Sequence, residues 1–123
     1  MSNLKMTDIL PENIKFFPAA VDDFLNFDKS RQIKIIKALQ KISKAPSCFG
    51  KELENQAGRP LSGYRSIYVD NKSIRIIWKV AQMNIVEVAI IAGIVERDGM
   101  IAYKLASIRK GEFEEFVNRL LKN

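Results

Sequence analysis

Apolar residues recur along this chain with two different periods, and each change of period marks a new element. Residues 14–17, "IKFF", form a short apolar run that reads as a strand. Pro18 follows, a residue suited to the first turn of a helix, where its missing N–H is not needed. Val21, Phe24 and Leu25 then recur at helical spacing. The clearest helix is "DKSRQIKIIKALQKISKAP", opened by Asp28 as N-cap and stopped by Pro46. Ile35, Ala38, Leu39 and Ile42 share one side of it, while Lys34, Lys37, Lys41 and Lys44 line the other.

"SCFGKELENQAGRP" is polar, broken by glycine and proline, and reads as a linker within the domain. Three runs with strand character follow at residues 62–69, 73–80 and 84–95, separated by "DNK" and "AQM", short enough for hairpin turns. From Ala102 the pattern is helical again. Gly111 is expected to break it, and Phe113, Phe116, Val117 and Leu120 then repeat at i, i+3, i+4 and i+7. The sum is an α+β domain: an N-terminal strand, a two-helix hairpin, a three-stranded antiparallel meander, and C-terminal helices packed on the sheet. All helices are expected on one face. One domain spans residues 1–123, with residues 1–12 as an N-terminal extension.

Strand alternation says where the charges go. Ile74, Ile76, Trp78 and Val80 share one side of the second run; Arg75, Ile77 and Lys79 share the other. In the third, Val86, Val88, Ile90 and Ile94 oppose Glu87, Ala89, Ile91, Gly93, Val95 and Arg97. If the more apolar side meets the helices, Arg75, Lys79 and Arg97 emerge together on an open face, and Arg65 joins them. Tyr64, Tyr68 and Trp78 read as core or sheet packing.

Composition narrows the chemistry. The 123 residues include no histidine, which removes Ser-His-Asp and Cys-His mechanisms and the usual zinc sites. A single cysteine, Cys48, excludes an internal disulfide and suits a reducing compartment. No apolar run is long enough to span a bilayer, and the first residues lack the features of a signal peptide, so a cytoplasmic protein with no membrane partner is expected. The net charge of +6 suits a polyanionic partner. The weaker candidates for RNA contact are Lys72, Lys79, Lys34, Lys37 and Lys41.

In this order and at these distances, "FFPAAVDDFLNFD", "PLSGYRSIYV", "SIRIIWKV" and "IVEVAIIAGIVERDGMIAYKLASIR" resemble the RelE/ParE superfamily of bacterial type II toxins, over residues 14–109. The resemblance implies the RelE-like fold, no cofactor or metal, and a cognate antitoxin protein as partner. RelE-like members cleave messenger RNA in the ribosomal decoding site; ParE-like members inhibit DNA gyrase and are not nucleases. Arg65, Arg75, Arg97 and Tyr103 stand where the resemblance places the nuclease residues. Tyr103, six positions after Arg97, favours the RelE-like branch. Ile67 departs from the pattern, standing where a second strand cation is common. That departure keeps open a gyrase inhibitor or an inactive relative that only binds antitoxin or nucleic acid.

Overall fold

The computed structural model describes residues 10–53, 63–96 and 101–122, with side chains from position 109 onward in the last stretch. Among the described residues, eight elements follow one another: β1 (Ile14–Phe16), α1 (Pro18–Leu25), α2 (Lys29–Lys44), β2 (Lys51–Glu52), β3 (Tyr64–Val69), β4 (Ile74–Met83), β5 (Val86–Glu96) and α3 (Ile101–Lys122). The strands form one sheet in the order β1-β5-β4-β3-β2. The three central strands are the expected antiparallel meander. β1 joins it by pairing parallel to β5, with Ile14 beside Ala89 and Phe16 beside Ile91.

Local signals explain the helices. Pro18 opens α1. Asp28 caps α2, its Oδ1 accepting the Arg31 backbone N–H at 2.9 Å. α2 ends at Lys44, two residues short of Pro46, which disfavours helical conformation in the residue before it. Its Ile35, Ala38, Leu39 and Ile42 are buried, and Lys34, Lys37, Lys41 and Lys44 are exposed.

The helices do not share one face. Cross-strand partners project to the same side, so Tyr64, Lys79 and Ile90 belong to one face while Arg65, Trp78 and Ile91 belong to the other. Glu114 of α3 bonds Tyr64 and Lys79, placing α3 on the first face. Trp78 is fully buried on the second, its indole N–H donating at 3.1 Å to the Pro46 carbonyl just past α2. α1 packs against β5, with Phe24 edge-on against Phe16 of β1 and Phe17, just before α1, edge-on against Phe113 of α3. Burial on both faces is why "SIRIIWKV" is nearly continuously apolar instead of alternating cleanly.

A β-bulge changes the parity of β5. Trp78 pairs with Ile91 and Ile77 with Gly93, leaving Ala92 as the extra residue. Gly93 and Val95 therefore lie on the side of Val86, Val88 and Ile90, and Ile94 lies on the side of Ala89 and Ile91, the reverse of simple alternation.

Two further expectations are corrected. The linker holds a strand, because β2 pairs with β3 through Lys51–Ser66 and Glu52–Arg65. Gly111 breaks nothing: α3 runs through it, and a Cβ built there meets no atom within 4 Å. Phe113 and Val117 bury the helix against the sheet, worth about 1.5–3 kcal/mol each, which outweighs the penalty of about 1 kcal/mol for one helical glycine. Gly111→Ala is expected to raise stability by about 0.5–1 kcal/mol, read as a higher midpoint in urea; an unchanged or lower midpoint contradicts this account of α3.

Candidate functional site

The described cations of the α3 face are unequal. Lys79 lies beneath α3, its ammonium 2.8 and 2.9 Å from the two Glu114 carboxylate oxygens and 5.5 Å from the Tyr64 ring centre. The Tyr64 hydroxyl donates to the same carboxylate at 2.5 Å. Burial, then the Glu114 hydrogen bond and charge, push the Tyr64 phenol far up, so it stays protonated. For Glu114, burial works to raise the carboxyl, but the Lys79 and Tyr64 hydrogen bonds and the Lys79 charge together hold it below the ordinary glutamate value of 4.5. A depressed folded-state value gives stability that is present above 4.5 and lost as pH falls through the folded value. Glu114→Gln is therefore expected to lower stability at neutral pH and to flatten the loss on acidification. Acid unfolding identical in slope to the native protein would contradict the assignment. Lys79 is thus a structural tie and not an open cation.

Arg75 differs. It is the direct cross-strand partner of Tyr68 on β3 and of Val95 on β5. Its Nε donates to the Ser66 hydroxyl at 3.1 Å, and its guanidinium carbon lies 4.9 Å from the Tyr68 ring centre. Around them is a groove of about 430 Å³, lined by Gly50, Lys51, Ser66, Tyr68, Lys72 and Arg75 among others. Ser66 is buried, Arg75 half-buried, and Lys51, Lys72 and Tyr68 exposed.

Two supports hold this groove. On one wall, Gly50 has φ +66°, and a Cβ there would lie 2.2 Å from the Ser66 carbonyl oxygen, so only glycine lets the chain approach β3 this closely. Arg65 grips that wall from the other face: Nε donates to the Phe49 carbonyl at 2.8 Å and Nη2 to the Gly50 carbonyl at 3.1 Å, with Glu52 3.8 Å from Nη1. On the other side, the β3–β4 turn carries Asp70, Asn71 and Lys72 at φ 55°, 55° and 66°. Asp70 pins the turn to α2, receiving Lys34 Nζ at 2.6 Å and Arg31 Nε at 3.1 Å. Those bonds, Lys34 first, hold its carboxyl below the usual range.

The register separates residues that alternation alone had grouped. Arg65 pairs with Trp78, one position away from the Ser66–Ile77 pair, and so projects to the opposite face from Arg75. Ile67 shares the strand face of Arg65 yet also borders the groove, so the β3 residues that line it are Ser66, Ile67 and Tyr68. Lys34, Lys37 and Lys41 lie on α2, behind the sheet as seen from the groove. Of the other candidates, Arg75 and Lys72 line the groove. Arg97 and the Tyr103 side chain lie outside the described residues; β5 ends at Glu96, and position 103 falls within α3. Sequence reasoning missed Lys51, Ser66 and Tyr68. A two-residue strand shows no period, and only the isolated Gly50 before "KEL" hints at one.

No protein-family model matches the chain, and no curated protein does. Solved structures do. The isolated RelE toxin of E. coli matches with a TM-score of 0.55 and 12% identity, over 77% of this chain and 96% of its own. A chain of the RelBE2 toxin–antitoxin complex from Mycobacterium tuberculosis matches with a TM-score of 0.56 and 19% identity, over 76% and 95%. The fold is that of the RelE toxins. A chain of the intact E. coli RelBE toxin–antitoxin complex matches likewise, with a TM-score of 0.52 and 14% identity, over 69% and 95%. In this RelE-like chain the groove sits at the end of the sheet where β3 and β4 turn. Among the described residues, no helix is long and apolar enough to cross a membrane.

Proposed function

We propose that this RelE-like chain is the toxin of a toxin–antitoxin pair and a metal-independent endoribonuclease that cuts messenger RNA on the ribosome, in the cytoplasm. The observation that carries the reading is Arg75, fixed by Ser66 in a groove that also exposes Lys51 and Lys72. Metal-free cleavage of RNA needs a base to take the 2′-OH proton as that oxygen bonds to the adjacent phosphorus, cations to meet the growing charge on the phosphorane oxygens, and a proton for the 5′ oxygen as its bond to phosphorus breaks. A guanidinium donates to two phosphate oxygens at once and keeps its charge, which fits Arg75 to that role. The resemblance adds Arg97 for phosphorane charge and Tyr103 for orienting the substrate. Arg65 acts in this scheme as a positioning residue for the Gly50 wall.

The partner is a cognate antitoxin, as in the RelBE complexes that share the fold. A second reading, gyrase inhibition without nuclease activity, is favoured by one observation: the β3 residues lining the groove are Ser66, Ile67 and Tyr68, none of them a cation. Primer extension on cellular messages after induction separates the two. Codon-spaced 5′ ends in translated messages are expected; intact messages with an SOS response would overturn the nuclease assignment.

A further inference from the structure

Among the described residues lining the groove, Tyr68 is an aromatic side chain that no step of the cleavage scheme uses. Tyr68 is 38% exposed, whereas Tyr64, also on this face, is 1% exposed and Trp78 is fully buried. Its ring is not a piece of core. It is held by a guanidinium 4.9 Å from its centre, and that guanidinium is itself fixed to Ser66 at 3.1 Å. Lys51 and Lys72 line the same groove. Lys72 keeps a left-handed backbone, φ 66°, in a turn whose first residue is clamped by Arg31 and Lys34. A lysine has no intrinsic preference for that conformation, so the turn is held against local propensity where it borders the groove.

Cations that meet phosphates beside a rigid aromatic face are the two components of single-strand recognition. The charges follow the backbone, and the ring accepts a base in stacking. An ordered ring adds less ordering cost on binding than a mobile one.

We propose that Tyr68 is a nucleobase platform: one unpaired base of a single-stranded RNA stacks on its ring, while Arg75, Lys51 and Lys72 hold the flanking phosphates. The inference rests on the RNA reading of the groove, but not on cleavage. It makes Tyr68 an RNA-binding residue, acting through its ring and not its hydroxyl.

The test is equilibrium binding of the full chain to two fluorescein-labelled probes at one salt concentration. One is a short single-stranded oligoribonucleotide of mixed sequence. The other is an abasic ribose-phosphate chain of equal length. The native protein is expected to prefer the base-bearing probe. Tyr68→Ala should weaken that probe roughly five- to hundredfold and leave the abasic chain unchanged. Tyr68→Phe should bind like the native protein. Equal affinity of the native protein for both probes overturns the proposal. So does a Tyr68→Ala loss shared equally by both, or a Tyr68→Phe defect as large as that of Tyr68→Ala. The two readings fail separately: intact messages with Tyr68-dependent binding remove the nuclease and keep the platform. Normal message cleavage with binding indifferent to Tyr68→Ala removes the platform alone.

Discussion

Asp23→Ala is expected to destabilise the protein by about 3 kcal/mol, a loss of roughly 10 °C in the thermal midpoint. Asp23 belongs to α1, yet its carboxylate binds both β5 and α3. Oδ2 accepts the Ile94 N–H at 3.1 Å and Arg109 Nη1 at 2.6 Å, and Oδ1 accepts Arg109 Nη2 at 3.0 Å. Arg109 also donates to the Ala92 carbonyl at 3.2 Å. Both side chains are mostly buried, 14% and 21% exposed. The Asp23 hydrogen bonds, against some burial penalty, hold the Arg109 guanidinium still more firmly protonated. The pair answers the backbone groups that the bulge at Ala92 disrupts. Removing the carboxylate strands a charged guanidinium and a backbone N–H in a largely dry place, which costs more than the contact itself contributes. Replacing both, Asp23→Leu with Arg109→Met, should recover only part of the loss, because the Ile94 N–H stays unanswered. A single variant within 0.5 kcal/mol of the native protein would show that the bulge needs no clamp.

That clamp also shows where sequence reasoning reached its limit. Every helix start with a chemical marker was legible: Pro18 opens α1 and Asp28 caps α2. Alternation in β4 was legible too, since Arg75 and Lys79 do lie opposite Trp78 and Ile76. What failed depended on partners distant in sequence. The bulge inverts Gly93, Ile94 and Val95, and its determinants, Asp23 and Arg109, lie 71 and 17 residues away from the backbone groups they bind. Arg65 sits next in sequence to Ser66, but one step along a strand reverses the face, and without the register to Trp78 nothing says which face holds the groove. Lys79 looked like an open cation because Glu114, its partner, is 35 residues on in another element. Lys51 and Tyr68 escaped for the opposite reason. β2 is too short to show a period, and an aromatic in a strand is ordinarily core. Only its 38% exposure and the guanidinium over its ring single out Tyr68.

Arg75→Ala is expected to lower message cleavage about 10²–10³-fold and to abolish growth arrest. The effect follows from where Arg75 stands. Its contacts include a neutral hydrogen bond to Ser66 and a ring contact with Tyr68, which aim its guanidinium into the groove. Among the described residues lining the groove, Arg75 is the one arginine. Lys79 is committed to Glu114 beneath α3, and Arg65 is committed to the Phe49 and Gly50 carbonyls on the opposite face. Lys51 and Lys72 remain, but as point charges at the groove's margin they do not match the two-pronged geometry of a guanidinium on a phosphorane. Arg75→Lys should therefore bind RNA nearly as well as the native protein and still cleave slowly, a fall in kcat with little change in KM. The check is primer extension on a translated reporter with thermal melts of the same proteins. If Arg75→Ala cuts the reporter at the native rate, the phosphate is held elsewhere, and the groove at the β3–β4 turn is not the place where RNA is broken.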